Sequence, residues 1–259
     1  MTRAGYYAWR RRPVSAHAEQ DRILDQHIRR VFRAHQGRYG SPRVHDALVT
    51  AGVPVGRRRV ARLMRAARLR ARVTRIYKAN PGMHRFFGQH PNRLLTARGT
   101  APDRVWVADI TYIGVAKRWW FLAVVMDQHS RRILAWSLAH RQDARLTRAV
   151  LNVAVRRRRP KAGLIFHSDR GSEYSAAFLR DRLRVLGLRQ SSALRGPGDN
   201  AHMESFFHSL KAELIHHTTF TTPEALRSAL RSYINYYNHS RAHSALGYAS
   251  PVDYENGAA

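Results

Sequence analysis

The apolar residues at the start of the chain recur at helical intervals. Over residues 18–35 they fall three or four positions apart, which predicts one helix. Pro42 opens a second apolar run in a position that suits the first turn of a helix. A third run covers residues 56–69, after a turn at Gly52. The pattern therefore predicts a small helical region over residues 1–73.

The pattern changes twice beyond this region. Residues 74–103 show little periodicity and contain several prolines and glycines, which is typical of a linker or an extended arm. From residue 104 onward, three β-rich runs alternate with short polar connections and predict an antiparallel meander. The runs cover residues 105–112, 119–126 and 133–138.

The rest of the chain alternates helical and extended patterns. The predicted helices cover 144–157, 176–186, 200–215 and 223–237, and the predicted strands cover 163–167 and 187–192. Thr222 has the side chain and the position of an N-cap for the last helix. Three strands followed by helix, strand, helix, strand and helix is the element order of a ribonuclease-H-like α/β domain.

The charge of the chain indicates what kind of molecule it binds. Its 259 residues include 46 Lys and Arg against 17 Asp and Glu, a formal net charge of +29. A polyanion relieves the self-repulsion of such a chain. No apolar run of eighteen residues and no signal-peptide pattern favours a membrane, so nucleic acid is the predicted partner. The absence of cysteine is compatible with a bacterial cytoplasm, where we expect association with the nucleoid.

The two helices around Gly52 have the pattern of a helix-turn-helix, because they are short, joined by a glycine-containing turn, and arginine-rich in the second member. The predicted DNA contacts of that helix are Arg57, Arg58, Arg59, Arg62 and Arg65. The alternative is a basic helical hairpin with a solvated face.

Three acidic residues occupy positions where a carboxylate needs a cation. Asp109 lies within the first predicted strand, and Asp169 follows the strand over 163–167 at its carboxyl end. Glu204 lies on a helix, and Lys211 follows two turns later on the same face. Two Mg²⁺ ions about 4 Å apart bind carboxylate oxygens and serve phosphoryl transfer. The three acids therefore indicate a candidate two-metal site.

Each acid also has a structural interpretation. Asp109 could pair with an arginine, Asp169 could form a turn, and Glu204 could be a surface helix residue. Asp127 and Glu173 are weaker candidates, because Asp127 ends a strand before a turn and Glu173 is predicted on an exposed loop. Five aromatic residues are expected in the core, although an exposed one could stack a base: Trp119, Trp120, Trp136, Phe206 and Phe207.

Several longer motifs carry a family resemblance. They are WVADITYI, FLAVVMDQHSRRILAWSL, HSDRGSEY, GDNAHMESFFHSLKAEL and YNHSRAHSALGYASP. Together they resemble the integrase core of bacterial insertion-sequence transposases, most of all the second-frame product (OrfB) of the IS three family, relatives of retroviral integrases. The strings GYYAWRRR and GRYGSPRVHDAL, with VGRRRVARLMRAARL, resemble the helix-turn-helix segment before that core. The likeness covers roughly residues 36–254.

The resemblance implies a DDE-type polynucleotidyl transferase with two divalent ions, Mg²⁺ or Mn²⁺, in each active site. The metal-binding triad of the family falls on Asp109, Asp169 and Glu204. Its basic residue after the glutamate falls on Lys211, a further catalytic and DNA-contacting candidate. Asn200 and His167 are expected near the site, in contact with DNA.

The implied fold is an integrase core, a mixed five-stranded sheet with helices, over residues 104–259 including a C-terminal helix and tail. It follows the helix-turn-helix region and the linker. The implied activity is binding of insertion-sequence ends, followed by metal-dependent strand cleavage and strand transfer. The expected partners are the terminal inverted repeats and target DNA, further copies of the chain, and the product of an upstream reading frame.

The chain departs from the family pattern in one loop. One residue fewer than usual separates Asp169 from Glu204, within the segment ALRGPGDNA. Because a Gly/Pro loop tolerates deletion, we expect the helix phase at Glu204 to survive. The deletion could also alter a loop that touches DNA, or mark a decayed copy.

Two other functions compete with this one. A DNA-binding protein without catalysis, either a transposition inhibitor or a degenerate copy, would keep the basic region and lack strand transfer. A ribonuclease-H-like nuclease acting on RNA–DNA hybrids or junctions would need neither the helix-turn-helix nor the basic linker, so those segments argue against it.

Overall fold

The computed structural model describes residues 2–11, 15–72, 91–95, 99–193 and 200–257. The chain divides into two units, Met1–Val73 and Thr74–Ala259. Among the helices in the described ranges, none is both long and apolar enough to cross a bilayer.

The described part of the first unit is helical. Its helices are α1 (Arg3–Arg11), α2 (Ala16–Ala34), α3 (Ser41–Thr50) and α4 (Arg57–Ala66). Ser15 caps α2 by accepting a hydrogen bond from the Ala18 amide at 3.2 Å, and Pro42 occupies the first turn of α3. The side chains buried between α2, α3 and α4 are Leu24, Ile28, Val44, Leu48, Val60, Leu63 and Met64. The apolar spacing therefore marked most of the inward positions, although Ile23 and Val49 of the same pattern are exposed.

A mixed five-stranded sheet forms the centre of the second unit, in the order β3-β2-β1-β4-β5. The strands are β1 (Val105–Val115), β2 (Arg118–Asp127), β3 (Ile133–Ala139), β4 (Ile165–Ser168) and β5 (Arg189–Ser192). β1, β2 and β3 pair antiparallel, which confirms the predicted meander. β4 runs parallel to both β1 and β5, as connections through helices require.

Helices cover both faces of this sheet. They are α5 (Ala144–Arg158), α6 (Ser172–Ser175), α7 (Ala177–Val185), α8 (Ala201–Glu213), α9 (Pro223–His239) and α10 (Pro251–Glu255). One core joins α5 and α7 to the face that bears Trp106 and Ala108. The other joins α8 and α9 to the face that bears Val107 and Ile113. Because side chains alternate along a strand, neighbouring residues of β1 enter different cores.

Most predicted elements agree with the structure to within a few residues, and the predicted α/β fold with its helical N-terminal region is confirmed. The Thr222 side chain accepts a hydrogen bond from the Ala225 amide at 3.1 Å, which confirms the predicted N-cap of α9. Short α6 and α10 were not predicted. α10 is held by Glu255, which forms salt bridges with Arg132 and Arg158.

Candidate active site

The edge of β1 creates the candidate site. β4 pairs only with Val105–Val107, so beyond Val107 this side of β1 has no neighbouring strand within the described part of the chain. Asp109 lies just past that point and is half-buried. Its Oδ1 accepts a hydrogen bond from the Ile110 amide at 2.8 Å. A strand in the middle of the sheet thus presents a carboxylate at an open edge.

Asp169 leaves the sheet at the same level as Asp109. The last paired residues of β1 and β4 are Val107 and His167, and each aspartate lies two residues beyond its member of that pair. Asp169 Oδ1 accepts a hydrogen bond from the Gly171 amide at 3.1 Å. The parallel register therefore brings together two acids that are 60 residues apart in the chain.

Glu204 lies in the first turn of α8, above this edge. Met203, Phe206 and Leu210 bury the opposite side of the helix against the sheet, which leaves Glu204 exposed. Asn200, the residue before the helix, donates from Nδ2 to the carbonyl oxygen of Ala108 at 3.2 Å. This hydrogen bond attaches the start of α8 to the residue beside Asp109.

The acids act on one another electrostatically. The pKa of Asp109 is raised to about 8, first by burial, next by the negative charge of Asp169, and less by Glu204 and Glu173. Partial desolvation beside the sheet also raises the pKa of Glu204. Within the described residues neither Asp109 nor Glu204 forms a salt bridge, although the chain carries 46 Lys and Arg. The site therefore concentrates acidic groups whose ionised forms a bound cation would stabilise.

Metal-ligand geometry itself is not formed. Across the described ranges, no three His, Asp or Glu side chains converge closely enough to hold an ion. The donor set nevertheless fits Mg²⁺ or Mn²⁺ chemically, because both are hard cations that bind carboxylate oxygens. Because Glu204 is exposed, its long side chain can change rotamer without disturbing the core.

Lys211 lies two turns along α8 from Glu204. Its Nζ is 5.0 Å from the centroid of the Tyr112 ring on β1. Burial lowers the pKa of Lys211, whereas the charge of Asp109 raises it. The ammonium group therefore lies within the field of the acidic site.

The structure shows the surroundings of two residues that were predicted to contact DNA near the site. His167 was expected to contact DNA, but its side chain is fully buried, with Nδ1 2.9 Å from Ser191 Oγ on β5. That position suits the packing of the sheet and not a contact with a ligand. Asn200 is 7% exposed and bonds to β1. Its position next to Asp109 agrees with the expectation that it lies near the site, and its hydrogen bond gives it a positioning role.

Glu173 was predicted on an exposed loop and is instead buried in α6. Its Oε1 accepts a hydrogen bond from Gln142 Nε2 at 2.6 Å. The carboxyl group also covers Gly171 so closely that a Cβ atom at Gly171 would lie 2.6 Å from Glu173 Oε1. Glu173 therefore supports the turn whose amide binds Asp169. The sequence contains both Gly171 and Glu173, but only the fold shows that the carboxyl group packs against the glycine.

Two further residues have clear structural roles. Asp127 is fully buried at the end of β2, and its carboxylate accepts hydrogen bonds from the amides of Asp103, His129 and Ser130. Asp127 therefore stabilises the turn before β3, which agrees with its description as a weaker catalytic candidate. Trp119 was expected in the core but is 61% exposed, because it lies near the β1–β2 turn.

The arginines of α4 fall into two groups. Arg59 and Arg62 bind the Asp21 carboxylate on α2, at 2.7 and 2.5 Å. The exposed ones that form no salt bridge with a described acid are Arg57, Arg58 and Arg65. Most of the shortened loop before Glu204 lies outside the described residues.

Comparison with known proteins identifies the family. Models described as an integrase core domain match residues 99–196 and 204–258, and one described as an HTH-like domain matches residues 18–77. The transposase for insertion sequence element IS904 of Lactococcus lactis is 37% identical over 95% of this chain and 98% of its own length. The chain belongs to the IS three family of insertion-sequence transposases. Transposase InsF of insertion sequence IS3A from Escherichia coli is 36% identical over 99% of this chain and 91% of its own.

Solved structures share the fold of the transposase. The catalytic core domain of HTLV-2 integrase, solved in complex with magnesium, has a TM-score of 0.50 and 14% identity, over 61% of this chain and 99% of its own. The intasome of simian T-cell lymphotropic virus, in complex with a PP2A regulatory subunit, has a TM-score of 0.54 and 15% identity, over 81% of this chain and 69% of its own. The family resemblance seen in the motifs is thus confirmed, and the chain is a DNA-transposing polynucleotidyl transferase with an integrase core.

Proposed function

We propose that Asp109, Asp169 and Glu204 form the active site of the transposase and hold two divalent ions, Mg²⁺ or Mn²⁺. The parallel register of β1 and β4 and the hydrogen bond from Asn200 to Ala108 support this assignment, because they direct three chain-distant acids toward the same edge of the sheet. The ions, when bound, would activate the attacking oxygen and stabilise the leaving oxygen at phosphorus.

The chain's own residues divide the remaining work. Asp109 and Asp169, on neighbouring strands, would hold one ion between them, and Glu204 would complete the second from α8. Lys211 would bind a non-bridging phosphate oxygen of the DNA strand. The deprotonated form of Asp109 is the form that binds a cation, so metal binding is expected to release its proton.

One site can serve both cleavage and joining. In cleavage, a water oxygen forms a bond to phosphorus and the 3′-oxygen leaves, which yields a 3′-hydroxyl and a 5′-phosphate. In joining, that 3′-hydroxyl attacks a phosphodiester of the target, and the target's own 3′-oxygen leaves. Both steps are in-line displacements at phosphorus and need the same groups on the protein.

The first unit would hold the ends of the element. Arg57, Arg58 and Arg65 project from α4 without acidic partners among the described residues and are suited to phosphate contacts. The reaction joins two ends, so we infer assembly of several copies on the paired terminal repeats. Pairing or fusion with the product of an upstream reading frame belongs to the same proposal.

A joining assay tests the assignment. Labelled DNA ends carrying the terminal repeat are incubated with a target plasmid and Mg²⁺ or Mn²⁺, and cut and joined products are separated on a denaturing gel. Asp109→Asn is expected to abolish both products while binding the ends with nearly unchanged affinity. Asp181→Asn, an exposed α7 variant that breaks only the salt bridge with Arg184, is the matched control and should retain activity. Joining by Asp109→Asn would overturn the assignment.

A further inference from the structure

Two large aromatic side chains project from the β1–β2 hairpin. Tyr112 is 57% exposed and Trp119 is 61% exposed. Their rings meet edge to face, with centroids 5.1 Å apart. Trp119 pairs across the hairpin with Gly114, which has no side chain to cover the indole. Two exposed rings held against each other form a defined apolar surface, unlike a single scattered hydrophobic residue.

This aromatic pair adjoins the proposed active site. Tyr112 follows Asp109 by three residues on β1, about 10 Å along the strand, so the two side chains project from opposite faces of the sheet. Lys211 connects the two, since its Nζ lies 5.0 Å from the Tyr112 ring centroid and its pKa responds to Asp109. Beyond Val107 the strand edge is open within the described part of the sheet, so a side chain of α8 can reach it. Lys211 therefore spans the open edge of β1, between the acids on one face of the sheet and the rings on the other.

The chemistry of that surface suits a nucleobase. Bases stack on aromatic side chains whatever their sequence, because every base has a flat π face. The phosphate attached to the base would provide an anion for Lys211. An apolar protein partner on the same rings would leave that ammonium group without an anion. A base can reach the rings only after it has left the duplex, and that requirement restricts the ligand to unpaired nucleotides.

We propose that Tyr112 and Trp119 form a stacking platform for an unpaired nucleobase of the DNA strand whose phosphate reacts at Asp109. This inference rests on the proposed function, because it takes the acidic site to be the place where DNA is cut. The platform holds the end of the strand in place and favours DNA ends whose terminal base pairs are open.

Binding to two forms of one DNA end tests the platform. Both duplexes carry the terminal repeat found beside the gene; one is fully paired, and the other has its last three base pairs opened by mismatches. Fluorescence anisotropy without divalent metal measures affinity while no strand is cut. The wild-type protein should prefer the open end by about tenfold. Trp119→Ala and Tyr112→Ala should lose most of that preference and keep their affinity for the paired end.

Two controls separate stacking from other effects. Trp119→Phe should retain most of the preference, since it keeps an aromatic face. Phe178→Ala removes another exposed ring, on α7, over which Arg148 lies at 4.0 Å, and should change nothing. 2-Aminopurine in the unpaired strand reports stacking directly, because its fluorescence should be quenched by the wild-type protein and not by Trp119→Ala.

The possible outcomes are distinct. If the wild-type protein shows no preference, or the alanine variants keep it, the platform is wrong. If those variants instead change the sedimentation of the DNA-free protein, the rings belong to an interface between copies, and the platform is also wrong. The proposed function fails separately, when Asp109→Asn still joins ends, whatever the result with open and paired DNA.

Discussion

Asn200 and Ala108 are joined by a hydrogen bond of 3.2 Å between the asparagine Nδ2 and the alanine carbonyl oxygen. The bond crosses 92 residues of sequence and connects the residue before α8 to the residue before Asp109. Asn200 Oδ1 has no hydrogen-bond partner within the described residues. The amide thus fixes the distance between the helix that carries Glu204 and the strand that carries Asp109.

Loss of this amide should impair catalysis more than folding. In Asn200→Ala the start of α8 is no longer tied to β1, so Glu204 is less well positioned, and the single-turnover joining rate should fall about tenfold or more. DNA affinity should stay within about twofold, since the arginine-rich first unit is unchanged.

Asn238 is the matched control, an equally buried amide that bonds to both backbone groups of Ile133 on β3. Asn238→Ala should lower the melting temperature but leave the joining rate of the folded protein unchanged. Equal losses of rate in the two variants would refute a positioning role for Asn200.

The contact between Gly171 and Glu173 predicts a sharp limit on side-chain size. A Cβ atom at Gly171 would come within 2.6 Å of Glu173 Oε1, so Gly171→Ala must displace the carboxyl group, the hydrogen bond from Gln142, or the turn that binds Asp169. Cleavage should fall at least tenfold, with a lower melting temperature. The comparison that decides the cause is a double-mutant cycle: Glu173→Ala removes the obstacle, so Gly171→Ala should cost less in that background. Additive effects would contradict the proposed clash.

The meander was predictable because local pattern and fold agree there. The alternation of apolar and polar residues along β1–β3, and the polar turns between these strands, can be recognised from residues that are close together in the sequence. Asp169 could be placed for a similar reason, since the residue after a buried parallel strand lies at the ligand-binding edge of the sheet. Glu173 could not, because its burial depends on Gln142, which precedes it by 31 residues.

Trp119 is the opposite case, a residue predicted in the core that is exposed in the structure. Its size and its β-rich context favour a core position, and Trp106 on the adjacent strand is indeed fully buried. The difference lies in how far the core extends on that face of the sheet: Trp106 packs with α5 and α7, whereas Trp119 lies farther along, beside the exposed Gly114. The reach of α5 and α7 along the sheet cannot be read from the spacing of residues in β2.

The pKa of Asp109 gives the metal-free protein a pH dependence with a definite sign. The pKa is about 8 in the folded protein against an ordinary value of 3.8, so between these pH values the folded form holds a proton that the unfolded form has released. Stability therefore falls as pH rises through this window and does not change further above it. Asp109→Asn cannot ionise, so with EDTA it should melt about 5 °C above the wild type at pH 8 and together with it near pH 4.

Divalent metal should reverse this difference at pH 8. Mn²⁺ should raise the melting temperature of the wild-type protein by neutralising the acids and should have little effect on Asp109→Asn. Differential scanning fluorimetry from pH 4 to 9, with and without Mn²⁺, measures both effects. A wild-type melting temperature that rises with pH in the metal-free protein, relative to the variant, would contradict the raised pKa of Asp109.

The arginines of α4 should separate into DNA contacts and structural residues. Arg57→Ala removes a cation that is exposed and forms no salt bridge with a described acid, so it should weaken DNA binding and reduce the slope of log affinity against log salt by about 1, with an unchanged melting temperature. Arg59 instead binds Asp21 on α2, so Arg59→Ala should lower the melting temperature of the first unit. Salt titrations with the terminal-repeat duplex provide the comparison. If Arg57→Ala bound like the wild type at every salt concentration, α4 would not be the DNA-contacting helix.

The most direct test of the active-site assignment is to locate bound Mn²⁺ in a crystal of the transposase with its DNA end, through anomalous scattering. Two peaks are expected about 4 Å apart, ligated by Asp109, Asp169 and Glu204 at about 2.0–2.3 Å. Glu204 must turn toward the two aspartates for this to occur. Anomalous peaks elsewhere, with the three carboxylates still apart around a bound DNA end, would show that these acids do not form the metal site.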